Sequence, residues 1–475
     1  MAGATVVTRL LSLAGQLVLA WLLLDRDFGL AAMAAAVAAF VTVLRETGLQ
    51  QILVHRYRKI HLWMTPAFWM SVALGVFCGL VLAGIAPAAA RYYREPRITG
   101  LLLVMAAGSP FFVMGTVSNA VLLAELRFRA LAVVSVLQAA VTTGLMITLA
   151  ALGWGAYSLA VAPIGGVVVR NAAMWGIVRP RVRPRPQFRR WRYLVGDSQY
   201  LMGTAFFMAM IMQGVYLILG RGDGASAAGI FYFSYGLSAQ TVQLLASNLS
   251  GVLFPALSSL QSEPQRQVNA FVQAAKMLAY LGAPLCLLQA VLAEPGLRFL
   301  YGTKWEAAVP VFQVLSIGMI PTLINGQNWS MLQARGQFRT VCWFSAVCAA
   351  SVLLSVCIGD WMGSALAVAC CVTVTYGIIT PVHTWLAIRP HASAWQVWRD
   401  TQLMPTIMAV AVVAVTLPLL AYWPATGRPG LLAKMAVMAA LAMGTHVLLL
   451  RWAAPQILNE AKVRLAAVLR RQGQR

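Results

Sequence analysis

The sequence is poor in charged residues, and acidic residues are especially scarce. Only 10% of the 475 residues are charged, and 13 residues are Asp or Glu, whereas about 25% of a soluble domain is charged. So few charges cannot cover the surface of a soluble fold, and disorder is excluded because disordered chains are polar. Hydrophobic residues make up 60% of the chain. The composition therefore predicts an all-α integral membrane protein that crosses the bilayer many times.

The sequence also lacks motifs that indicate catalysis or a cofactor. It contains no glycine-rich phosphate loop, no Ser-His-Asp set, and no Cys or His cluster with the spacing of a metal site. All seven cysteines fall in apolar stretches, where cysteine usually serves as a small packing residue. We therefore expect a protein that is not an enzyme and that binds no metal or cofactor.

Long stretches without charge predict fourteen membrane-spanning helices, since a span needs about 20 mostly apolar residues. The glycines around 153–155 divide a stretch that is too long for one span, and 224–262 is interpreted as one long helix because no turn signal precedes Pro255. The predicted spans are 4–24, 28–45, 63–86, 98–123, 131–152, 155–178, 198–219, 224–250, 273–293, 307–333, 340–359, 361–387, 402–422 and 431–451.

The distribution of the cations predicts the orientation of the chain. With the N-terminus inside, 25 of the 36 Lys and Arg residues fall in inner loops and the C-terminal tail, whereas 9 fall in outer loops. This bias follows the positive-inside rule, so we expect both termini to be cytoplasmic. Most of the formal net charge of +23 therefore reports topology, and we expect no nucleic-acid partner. The two remaining cations, Arg9 and Arg170, fall within spans.

Two short segments recur at equivalent places six spans apart. Residues 124–129 and 334–339 share Ala, Phe and Arg at a spacing of 210, and residues 28–30 and 228–230 share a central Gly at a spacing of 200. Parallel repeats of this kind are a common transporter design. We predict an N-terminal six-helix bundle over 1–178, a basic linker over 179–197, a C-terminal six-helix bundle over 198–388, two further membrane helices over 389–453, and a basic amphipathic tail over 454–475.

Four cations in or near the spans are candidate binding residues for an anion. Arg9 and Arg170 lie roughly 8 and 12 Å from the inner edge of the bilayer, at 1.5 Å per residue, and Arg45 and Lys276 lie at cytoplasmic span ends. Guanidinium groups bind phosphate or pyrophosphate with a planar fork of donors. The structural alternatives are snorkelling to the headgroups for Arg9 and an ordinary loop position for Arg45 and Lys276.

Amide side chains in the spans are candidates for binding sugar hydroxyls. We single out Gln213, Gln240, Asn248 and Asn325. Amides in spans also form hydrogen bonds between helices, so both interpretations stay open.

Four short motifs are distinctive: Leu19-Ala20-Trp21-Leu22-Leu23 with Asp27-Phe28-Gly29-Leu30, Thr47-Gly48-Leu49, Phe254-Pro255-Ala256-Leu257-Ser258-Ser259-Leu260, and Tyr301-Gly302-Thr303-Lys304-Trp305. They resemble segments of the bacterial polysaccharide transporter family, the lipid-linked oligosaccharide (O-antigen) flippases of the multidrug/oligosaccharidyl-lipid/polysaccharide exporter superfamily. The resemblance implies two six-helix bundles around a cationic central cavity. Many relatives carry an acid in the seventh span where this chain has Gln213-Gly214-Val215, which argues against ion coupling at that position.

The resemblance implies a flippase of the bacterial inner membrane that moves an undecaprenyl-pyrophosphate-linked oligosaccharide to the outer leaflet by alternating access. Arg9 and Arg170 would hold the pyrophosphate, and Arg45 and Lys276 would guide it in. Expected partners are this lipid-linked oligosaccharide, membrane lipids, and the polymerase and chain-length proteins of the same pathway.

Two alternatives remain at this point. A drug/cation antiporter of the same superfamily should carry membrane-embedded acids, and no Asp or Glu falls in the middle of a predicted span. A membrane polymerase or glycosyltransferase would use acids in an outer loop, and Asp25-Arg26-Asp27 in the first outer loop is the segment that fits this alternative.

Overall fold

The computed structural model describes residues 2–45, 53, 60–179, 199–389, 391–423 and 427–453. These residues are 90% helical and contain no strand, which confirms the all-α membrane fold class. Most of the predicted linker, from 180 onward, and the predicted tail at 454–475 lie outside the described residues.

The helices of the first half cover most of the chain up to residue 222. They are α1 (Ala2–Leu22), α2 (Asp25–Thr42) with a 3-10 turn (Val43–Arg45), α3 (Ile60–Tyr93), α4 (Arg97–Met114), α5 (Thr116–Ala124), α6 (Phe128–Ala151), α7 (Ala156–Val178) and α8 (Gln199–Gly222).

The second half continues the same pattern. Its helices are α9 (Gly224–Ser259), α10 (Pro264–Val291), α11 (Ala293–Tyr301), α12 (Ala308–Thr322), α13 (Asn325–Ala334), α14 (Phe338–Trp361), α15 (Ala365–Ile388), α16 (Ala394–Trp398) with a π-helical segment (Arg399–Leu403), α17 (Met404–Tyr422) and α18 (Gly427–Ala453).

Twelve stretches of helix in the described residues are long and apolar enough to cross a membrane. They correspond to twelve of the predicted spans, and the other two predicted spans coincide with α9 and α17, so the count of fourteen stays a prediction. The segment after Gly224 is one uninterrupted helix, as expected. Helix α10 begins nine residues before the predicted ninth span, at Pro264, because proline lacks only an N–H that the first turn does not need.

The helix boundaries repeat along the chain. Helices α6 and α14 each contain 24 residues, and both their first and last residues are 210 positions apart. The fourth and tenth spans are each broken at corresponding places, at Gly115 between α4 and α5 and at residues 323–324 between α12 and α13. The short repeats in the sequence therefore belong to a longer structural repeat.

Contacts divide the chain into two compact units. Unit 1 comprises 1–233 and 337–375, and unit 2 comprises 234–336 and 376–475. In unit 1, α3 packs on α4, α6 on α7, and α8 on α14; in unit 2, α10 packs on α12 and α17. The division into an N-terminal and a C-terminal six-helix bundle stays a prediction.

Helices α2 and α9 meet in unit 1 through two glycines that leave no room for a side chain. A Cβ on Gly29 would lie 1.6 Å from the Ala225 carbonyl oxygen, and a Cβ on Gly229 would lie 1.8 Å from the Asp25 carbonyl oxygen. Small residues permit this close approach of membrane helices. The glycines shared by the repeated segments at 28–30 and 228–230 are therefore direct contacts between the repeats.

Asp25 and Asp27, which the sequence predicts to lie in the first outer loop, are in the first turn of α2 and support this contact. The Ser226 hydroxyl donates a hydrogen bond to the Asp25 carboxylate. The Asp27 carboxylate accepts one from the Leu24 backbone N–H at 3.2 Å, and so caps α2, whose first N–H groups lack helical acceptors. These contacts give both acids a structural role that requires no catalysis.

We expect Gly29→Ala to lower the thermal unfolding midpoint of the purified protein in nanodiscs. The added methyl group collides with backbone atoms that cannot rotate away, and overpacking of this kind costs about 3 kcal/mol. The matched control is Gly84→Ala in α3, since a Cβ on Gly84 has nothing within 4 Å. Equal midpoints for the two variants would contradict the close packing.

Candidate functional site

Arg170 lies on α7, inside unit 1, and is partly buried. Its Nη2 donates a hydrogen bond to Asn119 Oδ1 on α5, with a distance of 3.3 Å. A guanidinium carries five N–H donors, so this contact orients the group and uses one of them. The pair thus holds a positive charge at a defined place within an apolar set of helices.

The broken fourth span explains how Asn119 reaches this position. Gly115 donates its N–H to the Val113 carbonyl, so the carbonyl of Phe111 loses the helical donor that it would have had. Asn171 replaces that donor, because its Nδ2 lies 2.6 Å from the Phe111 oxygen. A Cβ on residue 115 would lie 2.2 Å from Asn171 Oδ1, so a larger residue at the break would push aside the Asn171 side chain that supplies this donor.

Arg45 lies at the edge of a cavity of about 260 Å³ in unit 1. Its Nη1 is 3.4 Å from the Ser109 carbonyl oxygen, and its guanidinium carbon is 5.6 Å from the centre of the Phe112 ring. Alanines of α2 and α7 leave the space open, and the other lining residues are mostly apolar. The arrangement combines one cation with an apolar wall, which suits a group that is anionic at one end and apolar elsewhere.

Arg9 lies in the first half of α1, with a partly exposed side chain, and α1 packs on α6. Among the described residues, the lining of the Arg45 cavity includes neither Arg9 nor Arg170. Unit 1 therefore contains all three arginines, but only Arg45 lines this cavity, and their joint action on one anion stays a prediction.

Lys276 lies in unit 2 and forms an ion pair. Its Nζ is 2.6 Å from Asp400 Oδ2, and Arg399 Nε is 3.0 Å from Asp400 Oδ1. Burial raises the pKa of the Asp400 carboxyl, but the hydrogen bonds from Lys276 and Arg399 outweigh burial and hold this pKa below its ordinary value. The role of Lys276 in guiding the pyrophosphate stays a prediction. In that role Lys276 would have to release Asp400 before it could bind a phosphate oxygen.

The amide candidates occupy different environments. Gln213 on α8 belongs to unit 1, whereas Gln240 on α9 and Asn325 at the start of α13 belong to unit 2, and all three are partly exposed. Asn325 Oδ1 is buried with no hydrogen-bond partner among the described residues. Asn248 lies on α9, but its side chain is outside the described part of the structure.

A buried polar contact joins α13 and α15 in unit 2. Asn328 Nδ2 donates to Thr384 Oγ1 at 3.1 Å, and the rings of Trp329 and His383 lie 4.4 Å apart. Asn328 Oδ1 and Thr380 Oγ1 are buried without a hydrogen-bond partner among the described residues. By helix order, α13 and α15 correspond to α5 and α7, so this neutral bond joins the pair of helices equivalent to the pair joined by Asn119 and Arg170. At the spacing of 210 residues, Thr380 stands at the position of Arg170.

Sequence reasoning missed Asp400 and the polar residues on α15. Asp400 lies 124 positions from Lys276, and a pair so distant leaves no local pattern. Thr380, His383 and Thr384 do carry a signal, because their spacing places them on one face of an apolar helix.

Solved structures of membrane transporters share this fold. The lipid II flippase MurJ in its inward closed conformation aligns with a TM-score of 0.77 at 12% identity, over 94% of this chain and 98% of that chain. An inward-facing multidrug resistance MATE transporter of the MOP superfamily aligns with a TM-score of 0.65 at 14% identity, over 82% of this chain and 96% of that chain. The fold is therefore that of this class of multi-helix transporters.

The chain belongs to the family described as polysaccharide biosynthesis protein, which matches residues 18–310. The succinoglycan biosynthesis transport protein ExoT of Rhizobium meliloti (strain 1021) is 24% identical over 410 residues, which cover 86% of this chain and 83% of that protein. The lipopolysaccharide biosynthesis protein WzxC of Escherichia coli (strain K12) is 23% identical over 382 residues, which cover 77% and 75%. The resemblance in the motifs is confirmed, and the chain is a multi-pass bacterial membrane protein.

We expect Asp400→Asn to reduce the stability of the protein at neutral pH by about 1 kcal/mol, the upper range for a partly exposed ion pair. Because the folded pKa is depressed, the contribution of Asp400 is present at and above its ordinary pKa of 3.8. It is lost as the pH falls through the folded pKa. The difference in thermal midpoint between wild type and variant should therefore shrink at acidic pH.

The control for this measurement is Glu263→Gln, which removes an exposed ion pair with Arg266 and should change the midpoint little at any pH. A difference between wild type and Asp400→Asn that stays constant down to the lowest pH would contradict the ion pair as its cause.

Proposed function

We propose that this chain is a flippase that moves an undecaprenyl-pyrophosphate-linked oligosaccharide from the inner to the outer leaflet of the bacterial cytoplasmic membrane by alternating access. Family membership and relatives named for transport or biosynthesis of surface polysaccharides support the proposal. The fold shared with a lipid II flippase supports it as well. The observation that carries it is the placement of arginines within the apolar helices of unit 1.

The physical problem for such a protein is the charge of the pyrophosphate. An anion in hydrocarbon is costly unless cations and hydrogen-bond donors replace its water. Arg170, oriented by Asn119, and Arg45, at the edge of its apolar cavity, offer guanidinium forks that bind phosphate oxygens in pairs. Arg9 would add a third cation, and the polyprenyl tail would remain in the lipid.

The other parts of the proposal follow from this role. No bond of the substrate is made or broken, so the protein acts as a transporter and carries no catalytic residue. Both termini are cytoplasmic, as the cation bias indicates. Gln213, Gln240, Asn248 and Asn325 contact sugar hydroxyls during passage, and the polymerase and chain-length proteins of the pathway receive the product.

We expect Arg170→Ala to lower surface polysaccharide at least tenfold in a flippase-deficient strain that expresses the variant at the wild-type level. A lost hydrogen bond to a charged group changes binding by about that factor or more. Arg170→Lys, which keeps the charge but loses the fork, should give an intermediate value. The control is Arg129→Ala, because Arg129 is an exposed cation at the start of α6.

The same assay separates the alternatives. Full surface polysaccharide in both Arg170→Ala and Arg9→Ala would overturn the assignment of these arginines to the substrate. Loss of transport should trap lipid-linked oligosaccharide on the inner leaflet. Surface glycan of altered length would instead indicate a polymerase, and a changed resistance to cationic drugs would indicate an antiporter.

A further inference from the structure

A polar cavity of about 570 Å³ lies within unit 2, between the first half of α10 and the segment 391–400. Its volume falls in the range of small-molecule sites. Besides the Lys276–Asp400 ion pair, its polar lining comprises Gln265, Asn269, Gln273, His391, Ser393 and Gln396.

The polar side chains of α10 are arranged along one face of the helix. Gln265, Asn269 and Gln273 recur every four residues, and Lys276 follows on the same face, since residues three and four apart are neighbours on a helix. Gln265 Nε2 donates to Asn269 Oδ1 at 3.5 Å. The three amides are exposed and line the cavity. They therefore form a row of polar groups along α10 that ends at the Lys276–Asp400 ion pair.

The opposite wall presents complementary groups. Ser393, Gln396 and Asp400 come from the short helix α16 and its flanking residues, and all three line the cavity. Gln396 is exposed. The two walls together therefore offer hydroxyl, amide, carboxylate and ammonium groups around one space.

The charges of the cavity disfavour an anion as its ligand. The Asp400 carboxylate lies 2.6 Å from Lys276 Nζ and 3.0 Å from Arg399 Nε. Both cations are therefore already paired with this carboxylate, and an entering phosphate would have to bind them beside a like charge. A neutral ligand leaves the ion pair intact. Each amide provides both donors and an acceptor, and this combination matches sugar hydroxyls, which also donate and accept.

We propose that this cavity binds the glycan of the lipid-linked substrate through its hydroxyl groups and thereby selects which oligosaccharide is carried. This inference rests on the proposed flippase function and adds a sugar subsite made of residues other than the pyrophosphate-binding arginines. In the predicted topology both walls belong to the inner side of the membrane, where the substrate is loaded.

The test uses the full-length protein in nanodiscs and saturation-transfer NMR. The probe is the oligosaccharide repeat unit released from the host's own surface polysaccharide, free of lipid and phosphate. We expect it to bind the wild-type protein and to bind the Gln273→Ala/Gln396→Ala variant at least tenfold more weakly, as expected for two lost hydrogen bonds. Both side chains are exposed, so the variant should keep the wild-type thermal midpoint.

The matched control is Gln261→Ala, since Gln261 is an exposed amide in the turn just before α10 and does not line the cavity. It should bind the repeat unit as the wild type does. Equal binding by the double variant and this control would overturn the proposal. Binding of glycerol 1-phosphate, the headgroup of an anionic lipid, in place of the repeat unit would overturn it as well.

Surface polysaccharide is measured in parallel in the flippase-deficient strain. If the wild type restores export but does not bind the repeat unit, the proposed sugar subsite is rejected and the proposed flippase function is retained. If the repeat unit binds as expected but the wild type restores no export, the proposed flippase function is rejected and the sugar site is retained.

Discussion

The absence of water in a bilayer is the constraint on which this structure depends. Every backbone N–H and C=O in the hydrocarbon must find a partner within the protein, and 90% of the described residues are accordingly helical. Where a helix breaks, a side chain must take over. At Gly115 the carbonyl of Phe111 loses its helical donor, and Asn171 supplies one. The break thus turns α5 so that Asn119 contacts Arg170, and the need for backbone hydrogen bonds positions a cation in the apolar interior.

Partly buried charged side chains near the ends of the spans also need hydrogen-bond partners within the protein. Arg335 follows α13 and donates through Nε to Gln267 Oε1 at 3.0 Å and through Nη1 to the Ala387 carbonyl at 2.9 Å. It therefore satisfies carbonyls at the end of α15, where a helix has unused acceptors and a negative partial charge. Burial lowers the pKa of this guanidinium. Arg335 and Lys276 are both occupied by contacts within unit 2, whereas Arg170 is oriented by a neutral amide.

Helix positions were predictable to within a few residues in most cases, because span length and charge-free runs are local properties. The turn at 153–155 and the uninterrupted helix after Gly224 belong to this group, as does the recurrence at 210 positions. Helix α10 begins nine residues before the predicted span, and its first turns include exposed amides, which give no hydropathy signal. The candidate site was less predictable, since the ion pair of Lys276 and the close contact of Gly29 with α9 join residues that lie far apart in sequence.

By itself, the sequence determined that this is an all-α membrane protein, where most of its helices lie, and which family it belongs to. These properties follow from the overall composition and from local signals, namely hydrophobic periodicity and short motifs, which can be read without knowing which distant residues meet. Only the tertiary structure decided that Lys276 pairs with Asp400, that Asn119 orients Arg170, and that amides of α10 line a polar cavity. The physical reason is that electrostatic and hydrogen-bond partners are selected by distance in space, and a helical fold brings together side chains more than a hundred positions apart.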